Sequence, residues 1–249
     1  VVRTANHALV YDAGPMYSPE ADSGSRIVVP FLRATGVSRL DGLIVSHADN
    51  DHAGGTASVL DAVPIGWMAS SLPHDHVLNG LATQPMPCIR GQAWHWDGVD
   101  FEMLHPSRES YGVERMKSND RSCVLRIAAR GRGILIAGDI EGRSERELLA
   151  IDASKLRADV LVVPHHGSTT SSTPEFVAAV QPQIAVFTSG YRNRFGHPRP
   201  EVLQRYIDQG SRLLRSDWHG AVRMEVGDES IRIDIERASR RRYWHDPPT

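Results

Sequence analysis

The chain predicts an α/β layered fold with its functional site along one sheet edge. Two observations carry this. Apolar, strand-like runs alternate with stretches of helical spacing, and residues able to bind metal or move protons recur where the runs stop. A length of 249 residues, 41% hydrophobic and 23% charged, suits one large α/β domain or two small ones and is ordinary for a globular protein. A net charge of −2 excludes a globally basic nucleic-acid binder, so any nucleic acid must be held by a local patch and by metal ions. No apolar run approaches the roughly 20 residues that span a bilayer. Val1 to His7 runs straight into strand-like sequence with no secretory leader, and the missing Met marks an excised piece of a longer chain. No solenoid-period repeat or low-complexity segment is present.

Residues 1–11 read as strand, closing on Leu9-Val10-Tyr11 before Asp12-Ala13-Gly14-Pro15, where Asp12 suits a turn. Residues 16–24 form a polar loop. Residues 25–36 place Ile27, Val28, Phe31 and Leu32 at helical spacing. Pro30 fits only near the first turn; Ser23 or Ser25 can cap the start and Gly36 the end. Leu43-Ile44-Val45 is a short buried strand, and residues 56–63 form a helix.

Between them lies Ser46-His47-Ala48-Asp49-Asn50-Asp51-His52-Ala53-Gly54-Gly55, with four potential metal ligands in six positions. His47 and Asp49 are two apart, so in extended backbone they point the same way. Asp51 and His52 are adjacent and suit a second centre after the chain turns. The two glycines allow a tight turn and keep bulk away from an ion. Charge this concentrated is costly to bury unless a cation neutralises it.

Residues 65–69 form a strand and 70–84 a loop, in which His74 and His76 are surface residues. A strand over 86–96 leads into Asp97-Gly98, a strong hairpin signal, and then a strand over 99–104 that His105-Pro106 ends in a turn. Residues 107–118 are polar and mobile. Strands follow at 123–128 and 134–137, the second delivering Asp139 just beyond a glycine. Residues 144–151 form a helix with Leu148, Leu149 and Ile151 inward. Residues 158–163 are a near-continuous apolar run, as in a strand buried on both faces, ending in Pro164-His165-His166-Gly167-Ser168. Thr173 caps a helix through Val180, and the hydroxyls of 169–173 suit phosphate oxygens. The strand at 183–188 leads to Ser189-Gly190-Tyr191-Arg192-Asn193-Arg194-Phe195-Gly196-His197-Pro198. Its cations suit phosphate and its rings suit stacking, as a nucleic-acid strand requires. A helix over 200–209 closed by Gly210, a strand at 212–215, and a hairpin of 221–226 with 230–235 complete the domain, which spans 1–236. Residues 237–249 are a basic, then proline-rich, frayed tail.

The loop 46–55 resembles the metal-binding loop of the metallo-β-lactamase superfamily, His-x-His-x-Asp-His, with Asp49 in place of the second histidine. That variant, with Pro164-His165-His166-Gly167-Ser168 and the 189–198 loop, resembles the C-terminal domain of ComEC/Rec2-type DNA-uptake competence proteins, and the likeness covers nearly the whole chain. The resemblance implies a four-layer αββα sandwich. It implies His47, Asp49, Asp51, His52, Asp139 and His165 as ligands of two divalent ions, with Asp139 bridging them at roughly 3.5–4 Å separation. Asp12 becomes a hydrogen-bonding support beneath the loop. Where the superfamily places a histidine before the strand at 123–128, this chain has Asn119-Asp120, so one standard ligand is replaced and Asn119 is left as a supporting residue. His166 is a proton donor or phosphate contact, and His197 a catalytic acid or last ligand. Cys88 and Cys123 lack zinc-site spacing. They are free thiols in a reducing compartment or one disulfide in an oxidising one, and the resemblance, which suggests a periplasm-facing domain of an inner-membrane protein, favours the disulfide.

The reaction this implies is hydrolysis of a DNA phosphodiester, degrading the strand not imported during uptake. Its catalytic residues are Asp51, His166 and His197, its DNA contacts Tyr191, Arg192, Asn193 and Arg194. Its partners are single-stranded DNA and the membrane-channel portion of the parent protein, with no small-molecule cofactor. Asp49 adds charge and a hard oxygen donor, shifting preference from zinc toward manganese or magnesium. Two rivals stand beside it: a hydrolase of a small phosphodiester or thioester on the same fold, against which the arginine-bearing loop argues, and a non-catalytic, metal-dependent DNA-binding module.

Overall fold

The computed structural model describes residues 1–240 and Arg242. The chain forms two compact units, Val1–Leu125 and Arg126 onward. The expected tail over 237–249 lies mostly outside the described residues; within them, Glu236–Ser239 is a short helix rather than a frayed end. Among the described residues no helix is long and apolar enough to cross a membrane.

The first unit is built on Leu40–Val45, buried at every position except Asp41. It pairs in parallel with Ala8–Tyr11 on one side and Ile65–Ser70 on the other. Val2–Arg3 lies antiparallel on one edge of the five-stranded sheet, and Pro85–Pro87 forms the other. Two prolines are tolerable there because an edge strand need not donate outward. Burial on both faces explains why Leu43-Ile44-Val45 reads as an unbroken apolar run.

The helix expected at 25–36 begins as a π-helical turn, Gly24–Val28, and continues as α-helix over Val29–Ala34 with Pro30 in its first turn. Neither Ser23 nor Ser25 caps it by side chain; Asp22 Oδ1 accepts from Ser25 N at 2.8 Å. The wider π turn rotates the apolar face. Val29 and Leu32 are buried, and Ile27 and Phe31 are exposed. The loop expected at 70–84 contains a short helix, Val77–Leu81, whose first turn donates Leu78 N–H to His76 Nδ1. The strand expected at 86–96 is two pieces, Pro85–Pro87 and Ala93–Trp96. Asp97 and Gly98 both have positive φ, 50° and 81°, as a tight primed turn requires, and they join Ala93–Trp96 to Val99–His105. His105 is the last residue of that strand rather than a turn residue. It is fully buried, with Nδ1 2.9 Å from Ser122 O. The 107–118 segment holds a 3-10 turn, Arg108–Gly112, with Ser110 buried. Cys88 and Cys123 are bonded as a disulfide, Cα atoms 5.9 Å apart.

The second unit carries four parallel strands in the order Arg132–Ile136, Val160–Val162, Ile184–Phe187, Arg212–Arg215. The helices Gly142–Asp152, Pro174–Val180 and Pro200–Asp208 follow the first three of them. Thr173 caps the second helix, Oγ1 accepting from Phe176 N. In the first helix Leu148 is buried as expected, but Ile151 is exposed. The inward stripe begins with Ser144 and Glu145, because the loop it packs against offers unsatisfied peptide groups rather than apolar surface. The hairpin Val222–Val226 with Ile231–Ile235 lays alternate apolar side chains on Val160, Ile184, Val186 and Leu214.

Candidate functional site

In the first unit the 46–55 loop leaves the buried Leu40–Val45 strand and turns into Asn50–Ala53. Asp12 holds it. This residue has φ +57°, a left-handed conformation uncommon outside glycine. Its Oδ1 accepts from Ser46 N, and its Oδ2 from Ser46 Oγ and His52 Nδ1, all at 2.7 Å. Since a carboxylate only accepts, the Ser46 hydroxyl spends its proton on Asp12 and can only accept from His47 Nδ1 at 2.9 Å. Both imidazoles therefore carry Nδ1–H and present a lone pair on Nε2. For His47 that atom is buried and has no hydrogen-bond partner among the described residues. It faces Asp49 Oδ2 at 3.7 Å, while His52 Nε2 faces Asp51 Oδ2 at 3.9 Å.

In the second unit Asp139 follows Gly138 at the end of Arg132–Ile136 and is buried. His165 N donates to Gly138 O at 3.1 Å, which ties the two loops. His165, His166 and Gly167 have φ of 50°, 54° and 84°. Two successive left-handed histidines are strained, and such residues concentrate at functional sites. His166 Nδ1 donates to Thr188 O at 2.7 Å, leaving the Nε2 lone pair 3.4 Å from Asp139 Oδ2. His165 Nε2 lies 4.0 Å from the same oxygen, its Nδ1 3.0 Å from Thr170 Oγ1. The His197 ring is 6.0 Å from that of His165, and its buried Nδ1 has no partner among the described residues. Burial, then the neighbouring His165 and His166, pushes its pKa down.

Each unit thus sets imidazole nitrogens 3.4–4.0 Å from carboxylate oxygens. Acceptor facing acceptor is repulsive unless a positive charge lies between. Two ligand atoms at zinc-like bond lengths around a tetrahedral ion stand about 3.3–3.6 Å apart, near the separations seen. The residues therefore fit divalent cations.

A model of the metallo-beta-lactamase superfamily matches residues 1–190. The chain belongs to the metallo-beta-lactamase superfamily. Competence protein ComA of Neisseria gonorrhoeae is 38% identical over 248 residues, 100% of this chain and 33% of that protein. Recombination protein 2 of Haemophilus influenzae is 30% identical over 230 residues, 92% of this chain and 27% of that one. The chain spans about a third of the length of the curated relatives it matches. Among solved structures, the metallo-beta-lactamase fold protein YhfI from Bacillus subtilis superposes with a TM-score of 0.53 at 12% identity, covering 86% of this chain and 85% of that one. The mixed α/β architecture is accordingly that of the metallo-beta-lactamase fold.

The superfamily, whose members are mostly metal-dependent hydrolases, sets the context for the remaining positions. Gly54 and Gly55 have φ of −59° and −87°, so left-handed freedom is not their role. A Cβ on Gly55 would collide with Ala13 O and Gly24 N, and one on Gly54 with Met16 N; they permit close backbone approach. Asn119 opens a half-buried 3-10 turn, and beside it Ser118 Oγ reaches the loop, accepting from Ala48 N at 3.2 Å. Of the expected phosphate-binding hydroxyls, Ser171 and Ser172 are fully buried, on Ile140 O and Tyr206 Oη, and only Thr169 and Thr170 are exposed. Tyr191, Arg192 and Arg194 are exposed, whereas Asn193 is taken up inside its loop, bonded to Gly190 O and to both His197 N and His197 O. Sequence reading missed Glu145. It is fully buried, and its two oxygens accept from Ser172 N and Thr173 N at 2.5 and 2.8 Å. A carboxylate one residue after an N-terminal serine in an amphipathic helix gives no distinguishing signal.

Proposed function

We propose that this chain is a divalent-metal-dependent phosphodiesterase that cleaves DNA, degrading the strand that is not imported during natural transformation. The ligands are His47, Asp49, Asp51, His52, Asp139 and His165. The observation that carries the reading is the buried His47 Nε2 lone pair, unpartnered among the described residues and set beside a carboxylate. An apolar surrounding would not retain it without a cation. The competence-protein relatives support the DNA substrate, and the arginines and rings of the 189–198 loop suit it.

When bound, divalent ions acidify water and offset the charge of the phosphodiester. The chain's own residues do the rest. Asp12 fixes the ring orientation of His52 directly and of His47 through Ser46. Thr188 O fixes the His166 tautomer, so its Nε2 can take or return a proton. His197, when protonated, serves as acid for the leaving oxygen, and burial with the neighbouring His165 and His166 lowers its pKa so that the proton is readily given up. Asp49 supplies an oxygen where a nitrogen is usual, which favours manganese over zinc. In the parent protein the domain faces the periplasm beside the membrane-channel portion. Incubation of labelled single-stranded DNA with Mn²⁺ tests the reading: wild type cleaves, and His47→Ala and Asp51→Ala lose at least about 100-fold in rate. Equal cleavage by wild type and variants, or cleavage by none, overturns it.

A further inference from the structure

The 189–198 loop accounts for only part of the exposed aromatic surface of the second unit. Phe195, Tyr191 and Trp218 are 55%, 50% and 43% exposed, although large rings are normally covered. They are linked by ring and guanidinium contacts rather than scattered. The Phe195 ring stacks near-parallel to His197, 6.0 Å away at 13°. The Arg194 guanidinium lies 4.9 Å from the Phe195 centroid, and those of Arg192 and Arg237 lie 5.1 and 5.5 Å from that of Tyr191. Arg237 also donates to Asp217 O at 2.7 Å and to Trp218 O at 3.3 Å. It therefore fastens the Ser216–His219 turn to the Tyr191 loop.

Trp218 is held from one side. The Arg215 guanidinium sits 3.6 Å from its ring centroid and is pinned by two bonds to Asp217, at 3.1 and 2.6 Å. An indole braced on one face while 43% exposed is a rigid platform, and rigid rings lose little entropy on binding. The charge around it matches a polyanion. Residues 189–199 contain three arginines and no Asp or Glu; residues 126–249 hold 19 Lys and Arg against 16 Asp and Glu, whereas 1–125 hold 9 against 14.

We infer that Phe195, Tyr191 and Trp218, with Arg192, Arg194 and Arg237, form a track for single-stranded DNA that starts at His197 and ends at the Ser216–His219 turn. Unpaired bases stack on the rings and phosphates meet the guanidinium groups. Duplex DNA, whose bases are already stacked, gains only the phosphate contacts. The track therefore selects single strands and grips them independently of metal. The inference takes its ligand from the proposed function but needs no cleavage to be tested.

The experiment measures fluorescence anisotropy of a labelled dT15 oligonucleotide in EDTA, with a hairpin duplex alongside. Trp218→Ala and Phe195→Ala are each expected to weaken dT15 binding roughly 5- to 150-fold, as loss of one stacked base does. Trp218→Phe retains most of the affinity, and the duplex is unaffected by any of the three. Circular dichroism checks that each variant is folded. Loss of dT15 binding in both Trp218→Ala and Trp218→Phe, equal loss for duplex and single strand, or no loss at all overturns the track. Ring-dependent binding without Mn²⁺-dependent cleavage would remove the nuclease reading and leave the track standing; cleavage without ring dependence would do the reverse.

Discussion

Removing the Glu145 carboxylate tests how the loop after the two strained histidines is held. Glu145 is fully buried, and its oxygens take the peptide N–H groups of Ser172 and Thr173. Arg205 closes the same loop from the other side, donating to Ser171 O and Ser172 O at 3.3 and 2.7 Å. Truncation to alanine leaves two donors unmade in a place water does not reach easily. At about 1–3 kcal/mol for each unmade buried group, Glu145→Ala should cost about 2–6 kcal/mol in urea unfolding. Glu145→Gln keeps one acceptor and turns an NH₂ toward the other N–H, so it should cost about half as much. The pH dependence carries an independent signature. Burial raises the Glu145 pKa above its ordinary value, against the pull of the N–H donors. Between about 4.3, the unfolded value, and the raised folded value, the folded chain holds more proton than the unfolded one. The contribution is present below that window and lost as pH rises through it. Wild type should therefore lose stability relative to Glu145→Gln as pH climbs from about 4 toward neutrality. A Glu145→Ala protein within about 0.5 kcal/mol of wild type, or a pH profile parallel to that of Glu145→Gln, would refute the reasoning.

Asp12→Asn keeps the shape but weakens the acceptor that orients Ser46 and His52, and isothermal titration with Mn²⁺ should show about 10- to 100-fold weaker binding with the fold intact. The Cys88–Cys123 disulfide spans 35 residues, which in the loop-entropy picture stabilises by about 4 kcal/mol; the Cys88→Ser, Cys123→Ser double variant should unfold at correspondingly lower urea, and an unchanged midpoint would remove the disulfide from the account.

What was legible in the sequence was what local chemistry announces. Asp97-Gly98 predicted its hairpin because both positions need positive φ. Leu43-Ile44-Val45 predicted a doubly buried strand because nothing polar interrupts it. The 46–55 loop announced its cluster of imidazoles and carboxylates because four such residues fall within six positions. The failures share a cause: they depend on partners far along the chain. Ile27 and Phe31 fit helical spacing, but the π turn that contains Ile27 and precedes Phe31 rotates the face outward. His105 looked like a turn residue before proline, yet it is buried against Ser122 O, 17 residues away. Glu145 gave no signal in the sequence, because the backbone groups that it holds come from a loop some 27 residues away. Tyr191 and Arg192 stand together in the sequence, whereas Trp218 and Arg237 join them only through tertiary packing.

Gly24 and Gly55 occupy each other's missing side-chain space. A Cβ on Gly24 would run into Gly55 O, and one on Gly55 would meet Gly24 N and Ala13 O. Three stretches of main chain are thereby interlocked directly beneath the histidine loop. Drift at any one of these positions is blocked by the other two, so a library randomised at Gly24 and Gly55 should return the glycine pair or nothing folded. The part of the chain that supports its chemistry can change only by concerted replacement, not one residue at a time.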